Sequence, residues 1–182
     1  KIVVIGQSGV GKSSIALRAV QNEYNESATS TVMAAMLEKK VTVDNQQVNL
    51  QIWDTAGQER FNSVSTIYFR GSQCALVVFS VDSQESFEKA VFWIGKVKIY
   101  AGDQTKIYLI GNKCDLESVV SESQIQKVCA EQSCEYFKVS AKNNLGVEEL
   151  FQRAAQLGLV EAEEENVKIE PKLNLKAKED KG

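Results

Sequence analysis

The sequence predicts an α/β protein built on a doubly wound, mostly parallel, six-stranded sheet. Short apolar runs typical of buried strands alternate along the chain with segments whose apolar residues recur at helical spacing. Early in the chain, two strand segments are separated only by the polar turn at residues 44–46, which predicts a hairpin. The remaining connections are expected to be right-handed crossovers between parallel strands. The hairpin therefore supplies the one antiparallel strand, at an edge of the sheet.

Local patterns place the individual elements. The predicted strands cover residues 2–5, 37–44, 48–53, 74–81, 107–111 and 136–139. The predicted helices cover residues 12–22, 86–100, 121–129 and 147–157, and residues 60–73 are predicted to be mixed and partly helical. The run 74–81 is apolar throughout, as in a central strand covered on both faces. Ser121 and Gln124 have the spacing of a capping box at a helix start, and the polar residues 23–36 indicate a loop.

Length and composition indicate one globular domain, residues 1–160, followed by a flexible charged tail, residues 161–182. A chain of 182 residues that is 43% hydrophobic can bury a sizeable core. The tail has little apolar content and no periodicity, although an extra packed helix in its first turns is an alternative. A net charge of −3 argues against a nucleic-acid surface, and no apolar run approaches the length of about 18 residues that spans a membrane.

Two residue types narrow the chemistry. The chain contains no histidine, which excludes a histidine-dependent catalytic triad and favours catalysis by positioning and electrostatics. Its four cysteines lack the spacing of a metal site, and no signal peptide is visible. We therefore expect reduced cysteines in a cytosolic protein.

The segment Gly6–Ser13 fits the phosphate-loop pattern G-x-x-x-x-G-K-[ST]. It follows a predicted strand and opens a predicted helix, a context that a chance glycine turn would not share. Its glycines let successive N–H groups point at an anion, and the helix start adds unpaired donors. Lys12 would neutralise the outer phosphates, and the Ser13 hydroxyl would ligate Mg²⁺. This pattern predicts a nucleoside triphosphate site.

A second motif, D-x-x-G, follows the return strand of the hairpin. Asp54 ends that strand and is predicted to hold Mg²⁺, through a water because this ion sheds its hydration shell reluctantly. Gly57 leaves room for its N–H to approach a γ-phosphate, and Gln58 can orient an attacking water. Alone, the motif would be an ordinary turn. After a phosphate loop it predicts hydrolysis.

Two further motifs predict the base. Asp115, in Asn112-Lys113-Cys114-Asp115, can accept two parallel hydrogen bonds from the N1–H and 2-amino groups of guanine, a donor pair that adenine lacks. Asn112 can tie neighbouring loops together. Ser140-Ala141-Lys142 closes the last strand, where a small residue allows a backbone N–H to reach guanine O6. A plain strand-end turn is the alternative for Asn112–Asp115.

Together these motifs, in this order, resemble the Ras superfamily of small GTPases over about residues 1–158. The segments W-D-T-A-G-Q-E-R-F at 53–61 and Y-F-R-G at 68–71 look like the Rab branch, and A-A-M-L at 34–37 is similar to early-endocytic Rabs. The resemblance implies the P-loop small GTPase fold, with switch segments at 24–36 and 56–71.

The resemblance also implies residue roles. Gln58, Lys12 and Thr31 would be catalytic, and Ser13, Thr31 and Asp54 would serve Mg²⁺. Met36, Trp53 and Tyr68 would form an apolar effector surface, although aromatic residues at these positions could instead be core. The implied nucleotide-binding set is Ser8, Gly9, Val10, Gly11, Lys12, Ser13, Ser14, Tyr24, Thr31, Gly57, Asn112, Lys113, Asp115, Ser140, Ala141 and Lys142.

The sequence departs from the Rab pattern in two places. Met33 stands where Rabs usually carry glycine, which affects the geometry of the first switch. The chain ends Glu179-Asp180-Lys181-Gly182, without the C-terminal cysteines that are prenylated in Rabs. We therefore expect membrane attachment only if a lipidated C-terminus lies beyond Gly182.

The resemblance implies a GDP/GTP switch that hydrolyses GTP slowly, recruits effectors for vesicle trafficking and responds to exchange factors and activating proteins. We expect a monomer with bound Mg²⁺, in the cytoplasm at the cytosolic face of an endomembrane. A protein that holds guanine nucleotide constitutively, with little hydrolysis, is the alternative. An ATP-using P-loop kinase is disfavoured by Asn112 and Asp115.

Overall fold

The computed structural model describes residues 1–26, 31, 34–55 and 67–159. Its strands are β1 (Ile2–Gly6), β2 (Ala35–Val43), β3 (Gln46–Asp54), β4 (Cys74–Ser80), β5 (Lys106–Asn112) and β6 (Glu135–Lys138). Its helices are α1 (Lys12–Gln21), α2 (Gln84–Tyr100), α3 (Glu122–Gln132) and α4 (147–159), and residues 67–69 are also helical.

Within the described residues the strands form one six-stranded sheet in the order β2-β3-β1-β4-β5-β6. Every neighbouring pair is parallel except β2 and β3, which pair antiparallel as a hairpin, with β2 at the edge. The predicted doubly wound fold, with one antiparallel edge strand, is confirmed.

Alternate strand residues face two separate cores. Ile2 and Val4 of β1 pack toward α1 and α4, whereas Val3 and Ile5 pack toward α2 and α3. β4 is buried at every position because helices cover both faces of the sheet there, as its continuous apolar run predicted. The two layers hold the central strands rigidly, so the loops at their carboxyl ends start from fixed positions.

Three element starts differ from prediction by two residues. β3 begins at Gln46 rather than residue 48, because the pairing with β2 extends to the end of the hairpin. β2 begins at Ala35 rather than Leu37, because Ala35 and Met36 pair with Asp54 and Trp53 across the hairpin. α2 begins at Gln84 rather than Ser86, because the Ser83 hydroxyl caps the helix by accepting the Ser86 N–H at 3.2 Å.

Other local predictions can be checked directly. The capping box at Ser121 and Gln124 is confirmed. All four cysteines are free. No helix in the described ranges is long and apolar enough to cross a membrane. The proposed tail, residues 161–182, lies outside the described residues, as does Met33.

Candidate nucleotide-binding site

The predicted site residues follow the carboxyl ends of strands β1, β3, β5 and β6, which meet at one edge of the sheet. β1 lies at the point where the chain turns from one half of the sheet to the other, the place where α/β sheets bind ligands. The topology therefore brings the phosphate loop, Asp54 and both base motifs to one crevice.

The phosphate loop depends on glycine at two close contacts. Gly6 and Gly11 have φ values of 146° and 93°, where side chains are strained. A Cβ on Gly6 would lie 2.2 Å from the Val78 carbonyl oxygen, and one on Gly11 would lie 2.3 Å from Asn112 Nδ2. Gly11 is also the N-cap of α1 and offers no side chain to its N–H groups, which leaves those donors for an anion.

Lys12 is held inside this loop. Its side chain is buried and its Nζ donates to the Gln7 carbonyl oxygen at 2.9 Å. Burial lowers the pKa of Lys12 to about 8, and the nearby Asp54 carboxylate partly offsets this effect. A phosphate group placed in the loop would favour the charged form of Lys12. The geometry thus prepares a cation for an anionic ligand.

Three oxygen-bearing side chains meet beside Lys12. The Ser13 hydroxyl donates to Asp54 Oδ2 and lies 2.6 Å from Thr31 Oγ1. Asp54 Oδ1 is buried without a hydrogen-bond partner in the described part of the chain. Burial raises the pKa of Asp54, although the Ser13 hydrogen bond and Lys12 act in the opposite direction. A carboxylate with an unsatisfied buried oxygen, flanked by two hydroxyls, fits a hard divalent cation.

Asn112 connects the two halves of the crevice. Its side chain is buried, its Nδ2 donates to the Val10 carbonyl oxygen at 2.8 Å, and its Oδ1 accepts the Ala141 N–H at 3.2 Å. It therefore ties the phosphate loop to residues 140–142, here called the base loop. Because the Ala141 N–H is engaged, guanine O6 would have to share that donor or meet another amide of the loop.

Asp115 is fixed by the same loop. The Ser140 hydroxyl donates to Asp115 Oδ1, and the Cys114 N–H donates to the Val139 carbonyl oxygen at 3.1 Å. A cavity of about 220 Å³ opens between these segments. Of the predicted residues, Gly11, Ser14, Tyr24, Asn112, Lys113, Asp115, Ala141 and Lys142 line it.

The cavity has two further lining residues that the motifs did not indicate, Glu26 and Leu116. Leu116 directly follows Asp115, and its position after the motif was the only available signal. Glu26 forms an ion pair with Lys142 at 2.8 Å across the cavity mouth, a contact between segments distant in sequence that no local pattern encodes. Both partners are largely solvent-exposed, so this pair contributes little stability by itself.

The predicted effector residues lie next to one another, and none of them lines the cavity. Met36 and Trp53 are register partners across the hairpin, and the Trp53 and Tyr68 rings are 5.4 Å apart. Met36 is 45% exposed, whereas Trp53 and Tyr68 are half-buried and also pack against the core under α2. Trp53 Nε1 is buried with no acceptor in the described ranges. Gly57 and Gln58 lie outside the described residues.

Comparison with known proteins decides the family. A model of the Ras family matches residues 1–159. The chain is 40% identical over 160 residues to the GTP-binding protein YPT53 of Saccharomyces cerevisiae, covering 84% of this chain and 73% of that protein. The chain belongs to the Ras family of small GTPases.

Rab proteins are among its relatives. The chain is 38% identical over 153 residues to the Ras-related protein Rab-21 of Mus musculus, covering 83% of this chain and 69% of the relative. It is 40% identical over 153 residues to Rab-21 of Dictyostelium discoideum, covering 83% and 72%. The predicted resemblance is confirmed. The protein is a Rab-like GTPase, a guanine-nucleotide switch of intracellular trafficking that hydrolyses GTP and acts through effectors and regulators.

Proposed function

We propose that Thr31 of this Rab-like GTPase contacts the third phosphate of GTP. We propose that this contact changes the conformation of the apolar surface formed by Met36, Trp53 and Tyr68. One observation carries the proposal. Thr31 Oγ1 lies 2.6 Å from Ser13 Oγ, although Thr31 belongs to a different segment from the phosphate loop. The first switch therefore reaches the oxygen cluster of the nucleotide site.

Strand β2 supplies the path from Thr31 to the surface. It begins at Ala35, four residues after Thr31, and its second residue, Met36, pairs with Trp53. The next residue of β3, Asp54, belongs to the oxygen cluster. A shift of Thr31 on γ-phosphate binding would act on both strands of the hairpin where the effector residues lie. The half-buried Trp53 and Tyr68 rings can change exposure with small movements, as a state-dependent surface requires.

The donor set fits Mg²⁺. Ser13 and Thr31 hydroxyl oxygens and the Asp54 carboxylate would hold the ion, Asp54 through a water. When bound, the ion neutralises phosphate charge. Lys12 adds the fixed cation of the site, and its place in the loop orients the phosphates. The hydrogen bond between Ser13 and Asp54 holds these two side chains next to one another.

For hydrolysis, Gln58 would orient the attacking water, with Gly57 next to it. Intrinsic turnover would be slow, and an activating protein that inserts an arginine would raise it by roughly 10³–10⁵. The Rab relatives do not favour the alternative of a protein that holds guanine nucleotide constitutively with little hydrolysis.

The proposal also covers the choice of base, the extent of the domain, the oligomeric state and the location in the cell. The base loop, Asn112 and Asp115 would select guanine. Residues 1–160 would form the GTP-binding domain, with 161–182 as a flexible charged tail. We place the protein as a monomer in the cytoplasm at the cytosolic face of an endomembrane, on an early endocytic route, attached by a lipidated segment if one follows Gly182.

Trp53 provides a built-in reporter for the proposal. The chain has two tryptophans, and Trp93, a residue of α2, is buried with its ring against Phe69. In a Trp93→Phe variant, Trp53 alone emits. We expect its fluorescence to differ between the GDP form and a non-hydrolysable GTP form, and to revert after GTP loading at the rate of phosphate release. Adding Gln58→Leu should hold the GTP signal.

The matched control is Trp53→Phe, which leaves Trp93 as the emitter and should show little dependence on nucleotide. Identical Trp53 emission in the GDP and GTP forms would contradict transmission to the surface. If the Gln58→Leu variant released phosphate at the native rate, Gln58 would not be the residue that orients the attacking water.

A further inference from the structure

We infer that Arg18 is a positioning residue that fastens the base loop to helix α1 and to the chain entering the first switch, and thereby slows release of guanine nucleotide. No motif contains Arg18, and its side chain is only partly buried. The inference rests on the proposed role of the base loop in binding guanine.

The Arg18 guanidinium uses all three of its nitrogens on backbone carbonyls. Nε donates to the Ala141 oxygen at 2.8 Å, and Nη2 donates to the Lys142 oxygen at 3.2 Å. Nη1 donates to the Asn22 oxygen at 2.8 Å, at the C-terminal end of α1. Arg18 thus connects the end of its own helix with a loop that lies 123 residues further along the chain. Hydrogen bonds from a charged donor are among the stronger ones.

The same side chain reaches the first switch. The Arg18 Cζ lies 5.9 Å from the centre of the Tyr24 ring, within the range of a cation–π contact. Tyr24 lines the nucleotide cavity opposite the base loop. Asn22, which Arg18 also holds, accepts a further bond from Asn144 Nδ2 at 3.3 Å. Arg18 therefore contacts α1, the Tyr24 segment and the base loop with one side chain.

Through the base loop, Arg18 also restrains the position of Asp115, the carboxylate proposed to select guanine. Ser140, next to the Ala141 carbonyl that Arg18 holds, donates its hydroxyl to Asp115. Ala141 is also held from the other side by Asn112. Without Arg18, the loop would keep the bonds of Asn112 and Ser140 and the exposed Lys142–Glu26 ion pair. Asp115 and Tyr24 could then separate more easily. Lysine cannot replace Arg18, because it lacks the planar fork that reaches several acceptors at once.

The test measures dissociation of fluorescent GDP and GTP from Arg18→Gln and Arg18→Lys variants. Both should release nucleotide faster by about tenfold, the order expected for loss of a charge-assisted hydrogen bond. The increase in release rate should be equal for GDP and GTP, because Arg18 acts on the base side of the cavity. For the same reason, chelation of Mg²⁺ should not change it.

A double variant separates positioning from general destabilisation. In an Asp115→Asn background, the contact that Arg18 positions is already altered, so Arg18→Gln should change GDP release by less than about threefold. A purely structural role would leave the tenfold factor unchanged in that background. This double-variant comparison measures only GDP release. A negative result here can therefore be told apart from a negative result in the switch and hydrolysis tests above.

Arg153→Gln is the matched control. Arg153 lies on α4 and bonds Glu135 and Gln156, away from the nucleotide cavity, so its loss should leave release rates unchanged. Native release rates in both Arg18 variants would overturn the inference. So would a factor that differs between GDP and GTP, or full additivity with Asp115→Asn.

Discussion

The two halves of the nucleotide site are held together in different ways. The base half, made of Asn112, Asp115 and the base loop, is closed by hydrogen bonds within the protein. The phosphate half, made of the phosphate loop, Thr31 and Asp54, instead contains charge that lacks full compensation. In the ranges that the structure describes, Lys12 and Asp54 are the buried charged side chains, and one Asp54 oxygen has no partner.

This difference indicates a division of labour. A half that satisfies its own polar groups keeps its shape without ligand, which suits recognition of one base. A half whose buried charges are only partly compensated by the protein gains most from phosphate and a cation, which suits a response to nucleotide state. The base half would thus set which nucleotide binds, and the phosphate half would set what binding does. Three changes test this comparison.

The largest expected effect is on base choice. Asp115→Asn should keep the bond from Ser140, because the Asn carbonyl oxygen still accepts it, but should lose the paired acceptors for guanine. GDP affinity should fall by about 100-fold, in line with loss of hydrogen bonds to a charged group. Xanthosine diphosphate, with a carbonyl in place of the 2-amino group, should gain affinity. Competition against fluorescent GDP measures both. Equal losses for the two nucleotides would mean that the whole base half had collapsed.

A smaller effect is expected from the phosphate half. Chelating Mg²⁺ should speed GDP release from the native protein by on the order of 20-fold, about the worth of one close charge pair at intermediate dielectric. In Asp54→Asn the same treatment should change release by less than about twofold. Native sensitivity to chelation in the variant would exclude Asp54 from the metal site.

The smallest of the three effects is the pH dependence of binding. Burial lowers the pKa of Lys12 to about 8, and bound phosphate should raise that pKa. Binding near and above pH 8 should therefore take up a proton, so that nucleotide affinity is level below about pH 7 and falls about tenfold between about pH 7 and about pH 9. Titration calorimetry in buffers of different ionisation enthalpy measures this uptake. Affinity that is constant over that range, without proton uptake, would show that Lys12 is already charged before binding.

The sequence predicted the residues of the base half, but it did not predict the contacts that hold them in place. Strand-end motifs located Asn112 and Asp115, because an apolar run followed by polar residues encodes the end of a buried strand. Arg18 carried no such signal, since its partners are backbone carbonyls brought close only by the fold. The start of β2 at Ala35 was missed for a similar reason. Alanine and methionine have weak strand preference, and pairing with β3 outweighs it.

Hydrogen–deuterium exchange of the GDP-bound and GTP-analogue-bound forms, both with Mg²⁺, tests the division between the two halves most directly. We expect equal protection in both states for the amides of 111–116 and 139–142, because the base half is complete without the third phosphate. We expect stronger protection at Thr31 and across 34–36 with the GTP analogue, because Thr31 would be drawn to the γ-phosphate. Equal protection of Thr31 and 34–36 in the two states, or a state-dependent change in the base half, would contradict this division.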